Sequence, residues 1–203
     1  WCVASLRKSL PVAIGGMLWS PKQHTLPQSV ELTNEVVELA DKRYEAMSLK
    51  TAYLNHQFHQ KDVFRNLYIE TEQQIDTLQV SGLDHRTIEI IAHLNIETWM
   101  NIKIENWETA HRLLTTYAIR HIENANSPFS ILLKCTSNEE RELLRKHLIQ
   151  RHIYPAILWT MPEDSPFDEA KVYADTMLSV HCDARYDSDN IVHICKQIIG
   201  FYD

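Results

Sequence analysis

The chain has 203 residues and a formal net charge of −7, because 27 Asp and Glu residues outnumber 20 Lys and Arg residues. Its hydrophobic fraction of 44% and charged fraction of 23% are typical of a soluble globular protein. The acidic balance argues against a nucleic-acid partner, which needs clustered basic side chains. We expect no membrane partner either, because no apolar run approaches the roughly 20 residues that span a bilayer.

The four cysteines show no CxxC spacing, so we expect reduced thiols, no metal site and a cytoplasmic location.

The chain begins with a loop and a short strand. Met17, Leu18 and Trp19 predict a buried strand, and Pro21 and Pro27 bound a polar connector after it. Four glycines in the whole chain are few, which favours long helices with few tight turns.

Long helices follow the connector. Apolar residues recur at steps of three and four between about residues 29 and 78, which predicts helix. This stretch is too long for one ordinary helix, so we expect two helices with a break around 55–62. Asp84 has the position of an N-cap for a further helix through Leu94. Residues 96 to about 117 predict another long helix.

The last part of the chain alternates strands with amphipathic helices. Three strands are predicted, at 129–134, 153–159 and 177–181. Helices are expected after a capping box formed by Ser137 and Glu140, after Ser165–Pro166, and after a cap at Asp187–Ser188. This alternation predicts a small sheet that helices cover on one face.

These elements divide the chain into three segments. Residues 1–28 are a loop-and-strand segment, residues 29–126 are connecting helices, and residues 127–203 form a small C-terminal α/β domain. The second boundary lies in the polar stretch Glu123–Pro128. The fold class is α/β overall and α+β within this chain.

Lys8 is the main candidate for chemistry. A lysine beside a turn is usually a solvated surface charge, but the neighbours of this one favour a function. Ser5 precedes it by three residues and can offer a hydroxyl to a phosphate group. Arg7 disfavours the charged form of Lys8 by like-charge repulsion, and Gly15–Gly16 lets the backbone turn sharply into the next strand. A lysine kept partly deprotonated is an amine that can trap a carbonyl compound.

The segment Ala4–Leu18 resembles the lysine loop of pyridoxal-phosphate enzymes of the aspartate-aminotransferase fold, and most closely that of DegT/StrS-type sugar aminotransferases. The lysine of that family also precedes a Gly-Gly pair by a few residues. It lies past the middle of the family's chains, so we expect this sequence to be the C-terminal part of a longer enzyme. The resemblance assigns residues 1–28 to the end of the large cofactor domain, and residues 127–203 to the small domain of a fold-type I enzyme.

The likeness continues in the same order along the chain. Arg151–Trp159 resembles a family segment that leads to a tryptophan, and Met177–Tyr186 resembles the family's closing strand and Asp-x-Arg-Tyr turn. Lys103 and Asn106 lie where the family has an arginine followed by an asparagine and then leucines. Lysine is not equivalent to arginine at a bidentate site, so we carry no substrate role onto Lys103.

The resemblance implies an activity. The cofactor is pyridoxal 5'-phosphate, with Lys8 as the catalytic lysine bonded to it and Ser5 as a further cofactor-binding residue. The substrates are an amino acid donor and a keto-sugar carried on a nucleotide, as in polysaccharide biosynthesis, and the enzyme is a homodimer. Because the upstream half of this fold supplies most cofactor contacts, we expect the present chain alone to be inactive and to bind the cofactor weakly.

A different class of function stays open. The chain is alternatively a non-catalytic helical interaction module built on the aminotransferase small domain. The presence of Lys8 with Ser5 argues against this alternative, while the lysine at position 103 leaves it open.

A metal site is a further alternative. His56, His59 and Asp62 have the spacing of one helix face, which is able to gather a metal ion. A polar helix face without a metal is the favoured interpretation.

Two residues near the third predicted strand also invite a catalytic interpretation. His181 and Asp183 have the spacing of a catalytic pair, but a structural turn between the strand and a capped helix is favoured. Cys182 is poorly placed to cooperate with His181, because adjacent residues of a strand point to opposite faces.

Overall fold

A computed structural model describes residues 1–117, 119, 121, 128–158 and 160–203. Over these residues the fold is α+β, with seven α-helices and two antiparallel sheets of two strands each. The chain divides into two compact units, Trp1–Leu94 and Asn95–Asp203, called here the N-terminal and C-terminal units. The expected boundary at residues 126–127 and the last residue of the predicted strand at 153–159 lie outside the described residues.

The N-terminal unit is a hairpin followed by three helices. Its elements are β1 (Cys2–Ser5), a 3-10 turn (Leu6–Lys8), β2 (Gly16–Trp19), α1 (Asn34–Leu54), α2 (Lys61–Thr77) and α3 (His85–His93). The strands pair antiparallel, with Cys2 opposite Trp19 and Ser5 opposite Gly16. The predicted break between two long helices is confirmed, because α1 ends at Leu54 and α2 begins at Lys61.

The core of this unit lies between α1 and the segment that precedes β2. Val36, Leu39 and Ala40 occupy one face of α1 at helical spacing and are buried. Ala13 and Ile14 pack against that face, so the chain just before β2 is held on the helix. The hydrophobic effect therefore fixes the loop between the strands more firmly than the strands themselves.

The strand at Met17–Trp19 is present, but the expectation that it is buried is wrong. Met17 is 48% exposed, and Leu18 and Trp19 are each 38% exposed. The reason is that the hairpin packs its connecting loop on the helices while its two strands project from that contact.

The start of α3 follows the predicted cap. The Asp84 carboxylate accepts a hydrogen bond from the backbone N–H of Thr87 at 2.9 Å. The helix ends at His93, with Leu94 as its C-cap. Position 82, two residues before the cap, is a glycine. A Cβ there would lie 2.8 Å from the carbonyl oxygen of Val30, so these two backbone segments can approach this closely because residue 82 has no side chain.

The C-terminal unit is a small sheet with helices packed on it. Its elements are α4 (Ile96–Thr116), β3 (Ile131–Lys134), α5 (Asn138–Ile149), α6 (Asp168–Thr176), β4 (Met177–Val180) and α7 (Ser188–Tyr202). The long helix predicted over residues 96–117 is α4, and it belongs to this unit.

One face of the sheet is apolar and covered. Ile131 pairs with Val180 and Leu133 with Leu178, so four buried side chains share a face. They pack against the apolar sides of α4, α5 and α7 in one continuous core. The predicted sheet covered by helices is therefore present, although it has two strands.

The described residues of the strand expected at 153–159, which are 153–158, form a single bridge. Ala156 exchanges both backbone hydrogen bonds with Ser179, at 2.8 and 2.9 Å. Tyr154, two residues before the bridge, has an exposed side chain.

The two predicted caps of the C-terminal unit are largely confirmed. Ser137 Oγ accepts from the N–H of Glu140 at 3.1 Å, and the Asp187 carboxylate accepts from the N–H of Asn190 at 2.8 Å. The reciprocal half of the capping box differs, because the Glu140 carboxylate accepts from the N–H and hydroxyl of Thr136 instead.

None of the described helices combines the length and the apolar character needed to cross a bilayer.

The core of the C-terminal unit predicts unequal effects of two neighbouring leucines on α5. Leu144 is fully buried in the core, whereas Leu143 is 52% exposed. We expect Leu144→Ala to lower the free energy of unfolding by about 2–5 kcal/mol, because it removes buried contacts and leaves a cavity. Leu143→Ala is the matched control and should change it by less than about 1 kcal/mol. Urea unfolding followed by circular dichroism measures both, and equal losses would contradict this assignment of the core.

Candidate functional site: the Lys8 turn and the loop after β4

Lys8 lies at an exposed position on the turn that leaves β1. It is the last residue of the 3-10 turn that begins at Leu6. Ser5 is the last residue of β1 and is also exposed, and its hydroxyl does not cap the turn. The two side chains proposed to meet a cofactor thus lie at one end of the hairpin and are open to solvent.

The backbone around Lys8 is closed by short-range hydrogen bonds. The N–H of Leu6 donates to the carbonyl of Gly15 at 2.9 Å, and the N–H of Leu10 donates to the carbonyl of Leu6 at 2.8 Å. Gly15 has a φ of +121°, and a Cβ there would meet Leu83 at 3.1 Å. The role expected for the Gly-Gly pair is therefore met by Gly15, whose conformation L-residues rarely adopt.

A buried arginine of α1 holds the far side of this loop. Arg43 is only 6% exposed, and its Nε donates to the carbonyl of Ala13 at 2.9 Å. Its Nη1 donates to Thr71 Oγ1 at 3.1 Å and to Glu72 Oε2 at 2.9 Å, both on α2. One guanidinium thus joins the loop to two helices, and a planar fork of five donors suits that task.

Glu72 joins the near side of the loop to the same network. Its other oxygen accepts from Arg7 Nη2 at 2.6 Å, so a single carboxylate bridges Arg7 and Arg43. Partial burial raises the pKa of the Glu72 carboxyl, but the two guanidinium groups lower it by more, and the pKa lies below its usual value of 4.5. The turn that carries Lys8 is therefore anchored immediately before Lys8 and again five residues after it.

This network changes one argument from the sequence. Arg7 was expected to repel a charged Lys8, but its guanidinium is paired with the Glu72 carboxylate. Coulomb repulsion from Arg7 is reduced accordingly. Neither Arg43 nor Glu72 was identified from the sequence, although one signal existed: Arg43 interrupts the apolar stripe of α1, beside the buried Tyr44.

In the C-terminal unit, a buried amide holds the loop that follows β4. Asn106 of α4 is 3% exposed. Its Nδ2 points at three backbone carbonyls, those of Cys182 at 3.3 Å, Asp183 at 3.4 Å and Tyr186 at 2.8 Å. The side chain thus determines the path of the loop, a role that the resemblance of its stretch to the family pattern did not specify.

The Asp-x-Arg-Tyr turn is closed by an ion pair. Arg185 Nε and Nη2 donate to the two Asp183 oxygens at 2.6 and 2.8 Å. Burial raises the pKa of Asp183, but the bonds and charge of Arg185 lower it by more, so the carboxyl has a pKa below its usual 3.8. His181 Nδ1 lies 3.9 Å from the same carboxylate. Both oxygens of the Asp183 carboxylate are thus paired with Arg185, which agrees with the structural interpretation of the turn.

Cys182 is unsuited to nucleophilic chemistry. It is fully buried, and burial raises the pKa of its thiol to about 12. His181 is exposed whereas Cys182 is buried, although both residues follow β4, which ends at Val180.

Lys103 is also buried, at 5% exposure, and its Nζ lies 5.8 Å from the centre of the Phe129 ring. An ammonium over an aromatic ring gains a cation–π attraction.

The metal interpretation of His56 and His59 rested on one helix face, and that expectation is wrong. Both residues lie between α1 and α2, and His56 has a φ of 59°. Within the described residues, no group of three or more His, Cys, Asp or Glu side chains is arranged to hold a metal ion.

A groove borders the Asn106 loop. It has a volume of about 490 Å³ and lies between α4 and the loop that leads into α7. Ile102, Glu105 and Asn106 line one side, and Arg185, Tyr186 and Asp187 line the other.

No protein-family model matches the sequence, and a search of curated proteins found no match.

The Glu72 bridge predicts a pH dependence of stability. Because its folded-state pKa is lowered, the carboxylate contributes stability above pH 4.5, and this contribution is lost as the pH falls below that value. We expect Glu72→Gln to remove part of the acid dependence of the melting temperature between about pH 6 and 3. Glu70→Gln on the same helix removes the charge of an exposed pair with Lys42 and is the control. An unchanged pH profile in Glu72→Gln would contradict the bridge.

Because the Asn106 amide holds the loop after β4, we expect its substitution to lower stability, whereas substitution of an exposed asparagine on the same helix should not. Asn106→Ala removes a donor from three backbone carbonyls, of which that of Asp183 keeps its bond from the N–H of Tyr186, and we expect a loss of about 1–3 kcal/mol in the free energy of unfolding. Asn101→Ala changes an exposed residue of the same helix and should be near neutral. Chemical unfolding measures both, and a neutral Asn106→Ala would show that the amide does not hold the loop.

Proposed function

We propose that this chain is the C-terminal part of a pyridoxal-phosphate-dependent aminotransferase that resembles the DegT/StrS-type family, and that Lys8 is the lysine that bonds to the cofactor. The observation that carries the proposal is the presentation of Lys8. Its side chain is exposed, while Arg7 and Ala13 on either side of it are tied to buried or bridging groups of α1 and α2. A covalent catalyst needs this combination of an accessible amine and a fixed backbone.

The described residues fit the cofactor at this end of the hairpin. Lys8 offers a primary amine to an aldehyde, and Ser5, exposed three residues earlier, offers a hydroxyl to a phosphate. Pyridoxal 5'-phosphate, when bound, supplies an electron sink for the carbon from which a proton is removed. Lys8 Nζ would first hold the cofactor and, once displaced by the amino donor, would move that proton to and from the substrate carbon.

The remaining parts of the proposal follow from the resemblance. The donor is an amino acid, the acceptor is a nucleotide-linked keto-sugar, and the protein works as a cytoplasmic homodimer. The α+β fold of the C-terminal unit, with its capped helices and short sheet, is compatible with the small domain of such an enzyme.

The test is reductive trapping on the complete protein that contains this chain. The protein is incubated with pyridoxal 5'-phosphate, reduced with borohydride and mapped by peptide mass spectrometry. We expect the adduct on the peptide that contains Lys8, and its loss in Lys8→Arg, because a guanidinium does not form the bond. Lys22→Arg, at another exposed position of the same unit, should keep the adduct.

A second function, the non-catalytic interaction module, is favoured by one observation. The hairpin exposes apolar side chains, with Val3 at 78% and Trp1 at 58% exposure. The trapping experiment separates the two functions, because an adduct elsewhere or no adduct would make Lys8 an ordinary surface lysine and favour the interaction module.

A further inference from the structure

The carboxylate that caps α3 has one buried oxygen without a hydrogen-bond donor. Asp84 is the N-cap of this helix and is 5% exposed. Its Oδ1 accepts a hydrogen bond from the backbone N–H of Thr87 at 2.9 Å. Among the residues that the structure describes, Asp84 Oδ2 is the one buried side-chain nitrogen or oxygen that makes no hydrogen bond. Burying such an oxygen costs free energy, which the binding of a donor recovers.

Two buried hydroxyl groups lie at the same end of α3. Tyr44 of α1 is 3% exposed and Thr87 is fully buried, and the two side-chain oxygens are 2.7 Å apart. Each hydroxyl has one proton, and the bond between them uses only one of the two. The remaining O–H makes no further hydrogen bond within the described part of the chain, and it does not donate to Asp84 Oδ2. A small region thus contains both an acceptor without a donor and an O–H without an acceptor.

The first turn of α3 presents further donors. The N–H groups of His85 and Arg86, the first two helical residues, have no acceptor within the helix. The guanidinium carbon of Arg86 lies 4.0 Å from the centre of the Tyr44 ring, so a positive charge rests on this side chain. The polar groups around the Asp84 carboxylate are therefore mainly donors.

These surroundings favour a small neutral ligand that both donates and accepts. An anion would be repelled by the buried Asp84 carboxylate. A cation would be attracted by that carboxylate, but it would accept nothing from the hydroxyl pair and would be repelled by the Arg86 guanidinium and the positive end of the helix dipole. Water both donates and accepts, and a buried water typically makes about three hydrogen bonds to polar groups of this kind.

We propose that the start of α3 binds one internal water molecule. The water donates to Asp84 Oδ2 and accepts the remaining O–H of the Tyr44–Thr87 pair, so it bridges two groups that do not bond directly. Because Tyr44 belongs to α1, the bridge joins α1 to the start of α3. The site is independent of the chemistry proposed for Lys8.

The bridge also supports the loop that carries Lys8. Leu83 directly precedes Asp84, and a Cβ at Gly15 of the loop would lie 3.1 Å from Leu83 Cδ1. A water that fixes the position of Asp84 therefore helps to hold Leu83 against the loop.

The direct test is a crystal structure of the complete chain at a resolution that shows ordered solvent. We expect a solvent peak about 2.6–3.1 Å from Asp84 Oδ2 and at a similar distance from Tyr44 Oη or Thr87 Oγ1. No solvent peak beside Oδ2, or a protein O–H or N–H that donates to it directly, would overturn the proposal. A peak with six or more oxygen neighbours at about 2.4 Å would identify a metal ion and would also overturn it.

A substitution at the cap tests the same site in solution. Asp84→Ser keeps a side-chain acceptor for the Thr87 N–H but removes Oδ2. We expect the melting temperature to fall by about 2–4 °C, because the bound water loses the group to which it donates. If Oδ2 bound no water, removing a buried oxygen without a donor would leave the melting temperature unchanged or raise it, and this result would overturn the proposal.

The matched control is the same substitution at another helix cap. Asp187 caps α7 by accepting from the N–H of Asn190, and its side chain is exposed. Asp187→Ser should change the melting temperature by about 1 °C at most, because serine and aspartate are similar N-caps. Equal losses in Asp84→Ser and Asp187→Ser would show a general effect of the cap charge and would contradict a water site at Asp84.

Discussion

The hydrogen bonds of the buried Arg43 guanidinium are the interactions on which the position of the Lys8 turn depends. An unpaired charge at that depth would be strongly destabilising, so the surrounding elements must supply acceptors. They do so from the loop at Ala13 and from α2 at Thr71 and Glu72. Glu72 then reaches Arg7, so satisfying one buried charge also fixes the turn next to Lys8. A side chain on that turn can therefore be exposed while the backbone is held on either side of it, at Arg7 and at Ala13.

In the C-terminal unit, a loop is held on a helix by a neutral side chain and not by a charged one. The loop between β4 and α7 leaves three carbonyls near α4, and Asn106 serves all three with one amide. All three contacts are made by the amide nitrogen of a side chain that is itself buried. The same residue also lines the groove beside α4.

The features that the sequence predicted well are local. The caps at Asp84, Ser137 and Asp187 and the break between α1 and α2 each depend on residues within one helical turn. The errors involve partners distant in sequence. The strand at Met17–Trp19 was expected to be buried, but burial depends on what packs against a strand, and its own composition does not contain that information. The strand expected at 153–159 is reduced, over its described residues, to one bridge between Ala156 and the distant Ser179.

The sequence by itself determined the order of helices and strands, the ends of most helices, and Lys8 as the residue to test. These properties follow from short-range periodicity, capping and turn chemistry. Only the tertiary structure decided that Arg43 and Glu72 anchor the Lys8 turn, and that Asn106 holds the loop after β4. The physical reason is that these bonds join residues separated by about 30 to 80 positions. A sequence read in short windows shows each of these polar side chains but not the carbonyl or carboxylate that the fold brings to it.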